Sequence, residues 1–159
     1  MRLILAAAVS LIVAGVAPNA EAQTFEGAPT GGEFRLSAES MTPDAHLLPV
    51  TAGGEVEVAT RPGADPDDCK GFTAASPDAR LVWSGADGVV RLSAVSNADT
   101  VLVVRTPAGA LICDDDSGED ANPSIPLPVQ AGRYDIWLGT YSQGERKKAV
   151  LSVAATASF

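Results

Sequence analysis

The sequence predicts an all-β fold, two sheets packed face to face as a sandwich, behind an N-terminal signal peptide. Three observations carry this expectation. Helical periodicity is nearly absent after residue 22, short runs alternate apolar with polar residues, and Gly, Pro, Asp and Asn punctuate those runs. Strands are expected at 33–38, 46–50, 55–59, 80–84, 89–94, 100–106, 110–113, 133–140 and 149–154. Between them stand turn signals such as Ala52-Gly53-Gly54, Ala86-Asp87-Gly88, Pro107-Ala108-Gly109 and Gln130-Ala131-Gly132.

The clearest strand is RYDIWLGTY at 133–141. It places Tyr134, Ile136 and Leu138 on one face and Asp135, Trp137 and Gly139 on the other, so one face is expected to enter the core. The run VLVV at 101–104 is apolar on both faces, as expected of a central strand covered on both sides.

The amino terminus, MRLILAAAVSLIVAGVAPNAEA, has a basic Arg2, an apolar run from Leu3 to about Ala17, and small residues at Ala20 and Ala22. This is the pattern of a secretory signal peptide cut before Gln23. The apolar run falls short of the ~20 residues that a membrane span needs, and no second such run follows, so no membrane span is expected. The expected organisation is a signal peptide over 1–22, a flexible Gly- and Pro-rich leader over 23–32, and one domain over 33–159. The expected location is periplasmic or secreted.

The chain carries a formal charge of −9, all of it in the exported part, because Arg2 and Glu21 cancel. An acidic surface of this size disfavours nucleic acid and anionic lipid as partners, and a monomer is expected. Export also changes how the two cysteines read. An oxidising compartment favours a Cys69–Cys113 disulfide over two separately buried thiols. Closing that loop would contribute about 4 kcal/mol by the chain-entropy account.

Composition argues against catalysis. The one histidine, His46, lies in PDAHLLPV, and there is no Gly-x-Ser-x-Gly elbow. One histidine and two oxidised cysteines leave no tetrahedral set for a transition metal. Carboxylate pairs that could cleave sugars occur in any acidic protein. Trp83, Trp137, Tyr134 and Tyr141 could stack on a polymer, but with only 8 aromatic residues in the chain, core packing is the stronger reading. Arg146-Lys147-Lys148, the one basic cluster, reads as a solvated hairpin tip.

The stretch CDDDSGED at 113–120 sets five carboxylates within seven residues, and such close charges repel. Two readings are open. Asp, Ser and Gly favour turns through local hydrogen bonds. Alternatively, Asp114, Asp115, Asp116 and Asp120 offer the hard oxygen ligands that Ca2+ selects, and a disulfide would bring Asp65, Asp67 and Asp68 nearby. The loop is not an EF-hand: its glycine falls one place early and the distal glutamate is missing.

The motifs DTVLVVRTPAG (99–109), LICDDDSGEDANPSI (111–125), AGRYDIWLGTYS (131–142) and AVLSV (149–153) together resemble the bacterial pre-peptidase C-terminal (PPC) domain. The chain is also similar to small exported proteobacterial proteins that share a CDDDSG loop and a YDIWVGTYS strand. Cys69-Lys70-Gly71-Phe72, Pro77-Asp78 and Asn122-Pro123 match that pattern. The resemblance implies a jelly-roll-like β-sandwich that in some relatives binds calcium, and that in multidomain relatives accompanies a protease or binds a polymer. It implies no catalytic residue. The expected function is a non-catalytic accessory module for an envelope protein or an extracellular polymer, the alternative being a peptidase-associated or hydrolytic protein.

Overall fold

In the computed structural model, which describes residues 27–42 and 44–155, the alternating runs form eleven strands. They are β1 (Gly32–Ser37), β2 (His46–Ala52), β3 (Val56–Glu57), β4 (Phe72–Thr73), β5 (Ala79–Ser84), β6 (Gly88–Ser96), β7 (Thr100–Arg105), β8 (Leu111–Asp114), β9 (Ser124–Val129), β10 (Gly132–Thr140) and β11 (Lys147–Ala155). The expected signal peptide and residues 23–26 lie outside the described residues.

Two sheets result. The first is centred on β10, which pairs with β7 along one side and with β5, then β4, along the other; β1, β3 and β8 extend it outward. The second runs β2-β11-β6-β9, antiparallel throughout. β1 joins β5 in parallel register, Phe34 opposite Leu81 and Leu36 opposite Trp83.

The alternation decides the inner core. Phe34, Leu81, Leu102, Ile136 and Leu138 of the first sheet pack with Val90, Leu92, Leu127, Leu151 and Val153 of the second. Tyr134 is buried among them, and its hydroxyl accepts from the Gln130 N–H at 2.8 Å and donates to the Gln130 C=O at 3.1 Å. This pins the turn before β10 to its own strand, as a tyrosine corner does.

A second, smaller core explains why VLVV is apolar on both faces. Val101, Val103 and Trp137 face away from the sandwich and are buried with Val58 and Cys69. The cover over them is the segment 58–71, which starts with a 3-10 turn at Val58–Thr60. A Cys69–Cys113 disulfide with a Cα–Cα distance of 5.2 Å fastens it to β8, and the Arg61 guanidinium lies 4.6 Å from the Trp137 ring centroid. The same arginine donates to Thr73 Oγ1 at 2.6 Å.

Several expected elements differ. The expected strand at 55–59 is two residues of β3 followed by the 3-10 turn, because Val58 bends under Trp137 rather than continuing a ladder. β4 and β9 were not expected. β9 reads SIPLPV, and two prolines argue against a strand; it survives because it is an edge strand, with Ile125, Leu127 and Val129 buried and Pro126 and Pro128 exposed. Part of the expected leader is docked: Thr30 N–H donates to Pro77 C=O at 3.0 Å, Gly31 N–H to Asp78 C=O at 2.8 Å, and Arg80 to Gly27 C=O at 3.1 Å.

Replacing both cysteines by serine is expected to lower stability by about 2–4 kcal/mol. It should also make 58–71 the first site of limited proteolysis, before any cut in β10 or β11. Unchanged cleavage order would mean that the Trp137 contacts, not the bridge, hold the cover down.

Candidate functional site

β10 needs a partner along its whole length, yet β5 hydrogen-bonds it only as far as Ile136 and β4 only at Thr140. Leu138 lies in the gap. Its N–H donates to Asp78 Oδ2 at 2.8 Å, and its C=O accepts from Gly53 N–H at 2.9 Å. A side-chain carboxylate and a glycine amide thus stand in for a missing stretch of strand. Gly53 sits at φ +99°, and a Cβ there would collide with the Glu145 carbonyl.

The stand-in is a buried charge. Asp78 is 3% exposed, and among the described residues its second oxygen has only Thr30 Oγ1 at 3.5 Å. Burial pushes its carboxyl up to about 6, against the opposing pull of the Leu138 N–H, the Thr30 hydroxyl, Arg146 and Arg61.

Asp78 and Thr30 are among the residues lining an open groove of about 800 Å³ beside β2, as are Thr51, Arg146, Lys148 and Val150. Arg146 is steadied by donating to the Gly53 C=O at 3.0 Å. Lys147 pairs with Glu145 at 2.8 Å, whereas Lys148, opposite Thr51, has no carboxylate within ion-pair distance among the described residues. Pro77-Asp78 carries no functional signal in the sequence; a lone Asp before a strand gives no sign that its side chain will be buried.

The acidic loop is held by its own hydrogen bonds. Asp114 accepts from the Ser117 hydroxyl and, at 2.6 Å, from the Ser124 N–H. Asn122 donates its side-chain amide to the Glu119 and Asp120 carbonyls, and its Oδ1 accepts from Ser96 N–H at 2.9 Å, tying the loop to the end of β6. Asp120 and Ala121 take left-handed backbone, φ 53° and 55°, to close the turn. Asp115 and Asp116 lie near Asp99, and burial together with their charge and that of Glu145 holds the Asp99 carboxyl above its usual range. Among the described residues no group of three or more His, Cys, Asp or Glu is disposed to hold a metal ion. Asp65, Asp67 and Asp68 precede Cys69, and Asp65 is spent on its own turn, accepting from Asp67 N–H at 3.0 Å.

Three of the four aromatic candidates are core residues. Trp83, Trp137 and Tyr134 are buried, and Tyr141 alone of the four aromatics is exposed. His46 lies on β2 opposite Val153, its Nε2 buried without a hydrogen-bond partner among the described residues, so no serine or carboxylate orients it.

No family model and no curated protein matches the chain. Among solved structures, the chain is similar to the pre-peptidase C-terminal domain of a collagenase from Bacillus anthracis. The identity is 10%, the coverage 80% of this chain and 99% of that one, and the TM-score 0.44.

The charge on Asp78 has a sign that can be checked. Its folded-state value of about 6 lies above the ordinary 3.8, so the folded chain holds this proton more tightly. The resulting stabilisation is complete below the ordinary value and is lost as pH rises through about 6. Asp78→Asn keeps an oxygen for the Leu138 N–H, so it should raise stability at pH 7.5 by about 1–3 kcal/mol and change it little at pH 4. Urea denaturation at the two pH values measures this; equal effects at both would mean that the ionised carboxylate is not strained.

Proposed function

We propose that the chain is an exported, non-catalytic β-sandwich module that binds an envelope protein or an extracellular polymer through the outer face of its second sheet. The observation that carries this reading is an asymmetry. In the first sheet the outer face of β7 and β10 lies under the disulfide-fastened cover, while the outer face of the second exposes Leu47 (63%), Val95 (64%) and Val89 (48%). Pro49, Val150 and Val95 stand side by side across three strands of that face. Clustered exposed apolar residues on a sheet mark an interaction surface. The disulfide supports an oxidising compartment.

Capture from an envelope fraction by wild-type protein and by a Leu47→Ser/Val95→Thr variant tests the reading. Both substitutions are at exposed positions, so the variant should melt within about 1 kcal/mol of wild type and lose most of what the wild type captures. The same captured set from both proteins would overturn it. For the hydrolytic alternative, the expected outcome on casein is no cleavage above buffer. Turnover that disappears in His46→Ala would reverse the non-catalytic reading.

The hydrogen bonds of Asp114 and Asn122 support the turn reading of 114–120 over the calcium one. Melting in EDTA, in excess calcium and in excess magnesium at fixed ionic strength should give small, equal shifts. A calcium-specific rise, about 2.7 kcal/mol at a hundredfold excess over the dissociation constant, abolished in Asp116→Asn, would restore Asp114, Asp115, Asp116 and Asp120 as ligands.

A further inference from the structure

We infer that the free edge of β1 pairs with β1 of a second copy of the chain, antiparallel and about a twofold axis at Phe34. This goes beyond the face-binding reading above, because it uses the other sheet and a backbone edge instead of a side-chain surface.

The described strands with a neighbour on one side only are β1, β3 and β8 in the first sheet and β2 and β9 in the second. β2 and β9 carry prolines, β3 has two residues, and β8 has four and runs into the acidic loop. β1 alone offers six residues in unbroken register, without a proline. Ser37 donates its N–H to Ser40 Oγ at 2.7 Å and accepts at its C=O from the Ser40 and Met41 N–H groups, so its backbone turns away from β5. Backbone direction alternates along a strand, so Glu33 and Arg35 point their N–H and C=O the same way, along the open edge. Glu33 is an exposed residue although its side chain is only 23% exposed, which leaves its backbone in water. The Glu39 carboxylate lies beside Gly85, so the chain after β1 leaves over the end of the sheet and not along this edge.

The side chains select the partner. Phe34 and Leu36 enter the core, while Glu33 and Arg35 project from the outer face. Opposed residues of an antiparallel pair share a face, so the choice of register decides which charges meet. A twofold axis at Glu33 sets that carboxylate against its own copy, and an axis at Arg35 does the same for the guanidinium. An axis at Phe34 sets Glu33 against the partner's Arg35 and Arg35 against the partner's Glu33. These are also the residues whose backbone groups are free, so each of the two pairs exchanges both of its N–H···O bonds, with Phe34 at the closer, non-bonded position between them. Charges of one sign on an edge strand repel a copy, which is how many edges are protected. Here the signs are opposite and two residues apart, and the edge is complementary to itself. The Arg35–Glu33 pair within one strand, at 2.5 Å, is replaced by the same contact across two strands, so pairing leaves neither charge without a partner.

Sedimentation equilibrium at 0.15 M salt, where screening limits the repulsion of net charge −9 to about 8 Å, tests the inference. The chain should pass from monomer to dimer between about 10 µM and 1 mM, the range of a small contact. Arg35→Glu and Glu33→Arg, each at an exposed position, set like charges across the axis and should each weaken the dimer at least about tenfold. An equimolar mixture of these two variants should dimerise again, because the acidic edge of one meets the basic edge of the other. Lys70→Glu, an exposed change of the same net charge away from the edge, should dimerise like wild type. Amide exchange in the wild type needs no variant: with rising concentration the Glu33 and Arg35 N–H groups should slow, and those of Phe34 and Leu36, which face β5, should not change. A monomer throughout, even one whose β1 edge takes up a foreign strand, would overturn the inference. So would a dimer that survives Arg35→Glu, a mixture that stays monomeric, or a dimer lost in Leu47→Ser/Val95→Thr, whose loss would place the contact on the second sheet.

Discussion

The bond between the buried Asp78 carboxylate and the Leu138 amide is the contact on which the first sheet depends. β10 is the one strand that touches β5, β4 and β7, and the gap between β5 and β4 falls opposite Leu138. Left open, that gap would bury an unpaired N–H at a cost of about 1–3 kcal/mol. Filling it with a side chain instead of a strand lets residues 74–78, between β4 and β5, leave the ladder without orphaning the Leu138 N–H. The same carboxylate also lines the groove beside β2, so the repair of the sheet sets one residue of that groove.

The segment 58–71, between β3 and β4, produces the asymmetry of the molecule. It carries Val58, Arg61 and Cys69 across β10 and β7, buries Trp137, and covers those two strands on both sides. Desolvation and the nearby Arg105 push the Arg61 guanidinium down to about 10, so it remains a cation at neutral pH while stacked on an indole. The second sheet has no such cover. Its two edges, β2 and β9, each carry proline, which denies an incoming strand a regular ladder. Its outer face offers side chains, and its edges offer little backbone.

Much of this architecture was legible in the residues. Alternation in RYDIWLGTY marks Tyr134, Ile136 and Leu138 as core, and the unbroken VLVV marks a strand with cover on both faces. The identity of the cover was not legible, because 58–71 is turn-rich and carries no periodic signal; only the cysteine pair hinted at its attachment. β9 was hidden by its prolines, whose tolerance depends on an edge position that only tertiary structure assigns. At 114–120 the charges drew attention, but the residue that ties the loop to β6 is Asn122, a type that reads as an ordinary turn former. Asp78 was hidden for a related reason. Burial of a polar side chain is a property of its neighbours, here Thr30 and Leu138, which lie 48 and 60 residues away along the chain.

The pairing of β2 with β11 also constrains when the protein can fold. His46 lies opposite Val153 and Ala52 opposite Lys147, so the second sheet joins nearly the first described strand to the last. Long-range pairings of this kind form slowly, because the intervening chain must be ordered before the contact is gained. No partial chain that stops short of β11 can close the inner core, since β2 would then have no neighbour in its sheet. During synthesis, or passage through any narrow pore, the polypeptide therefore travels as an unfolded thread. The sandwich closes only after residue 155 is available, so folding waits for the last described strand.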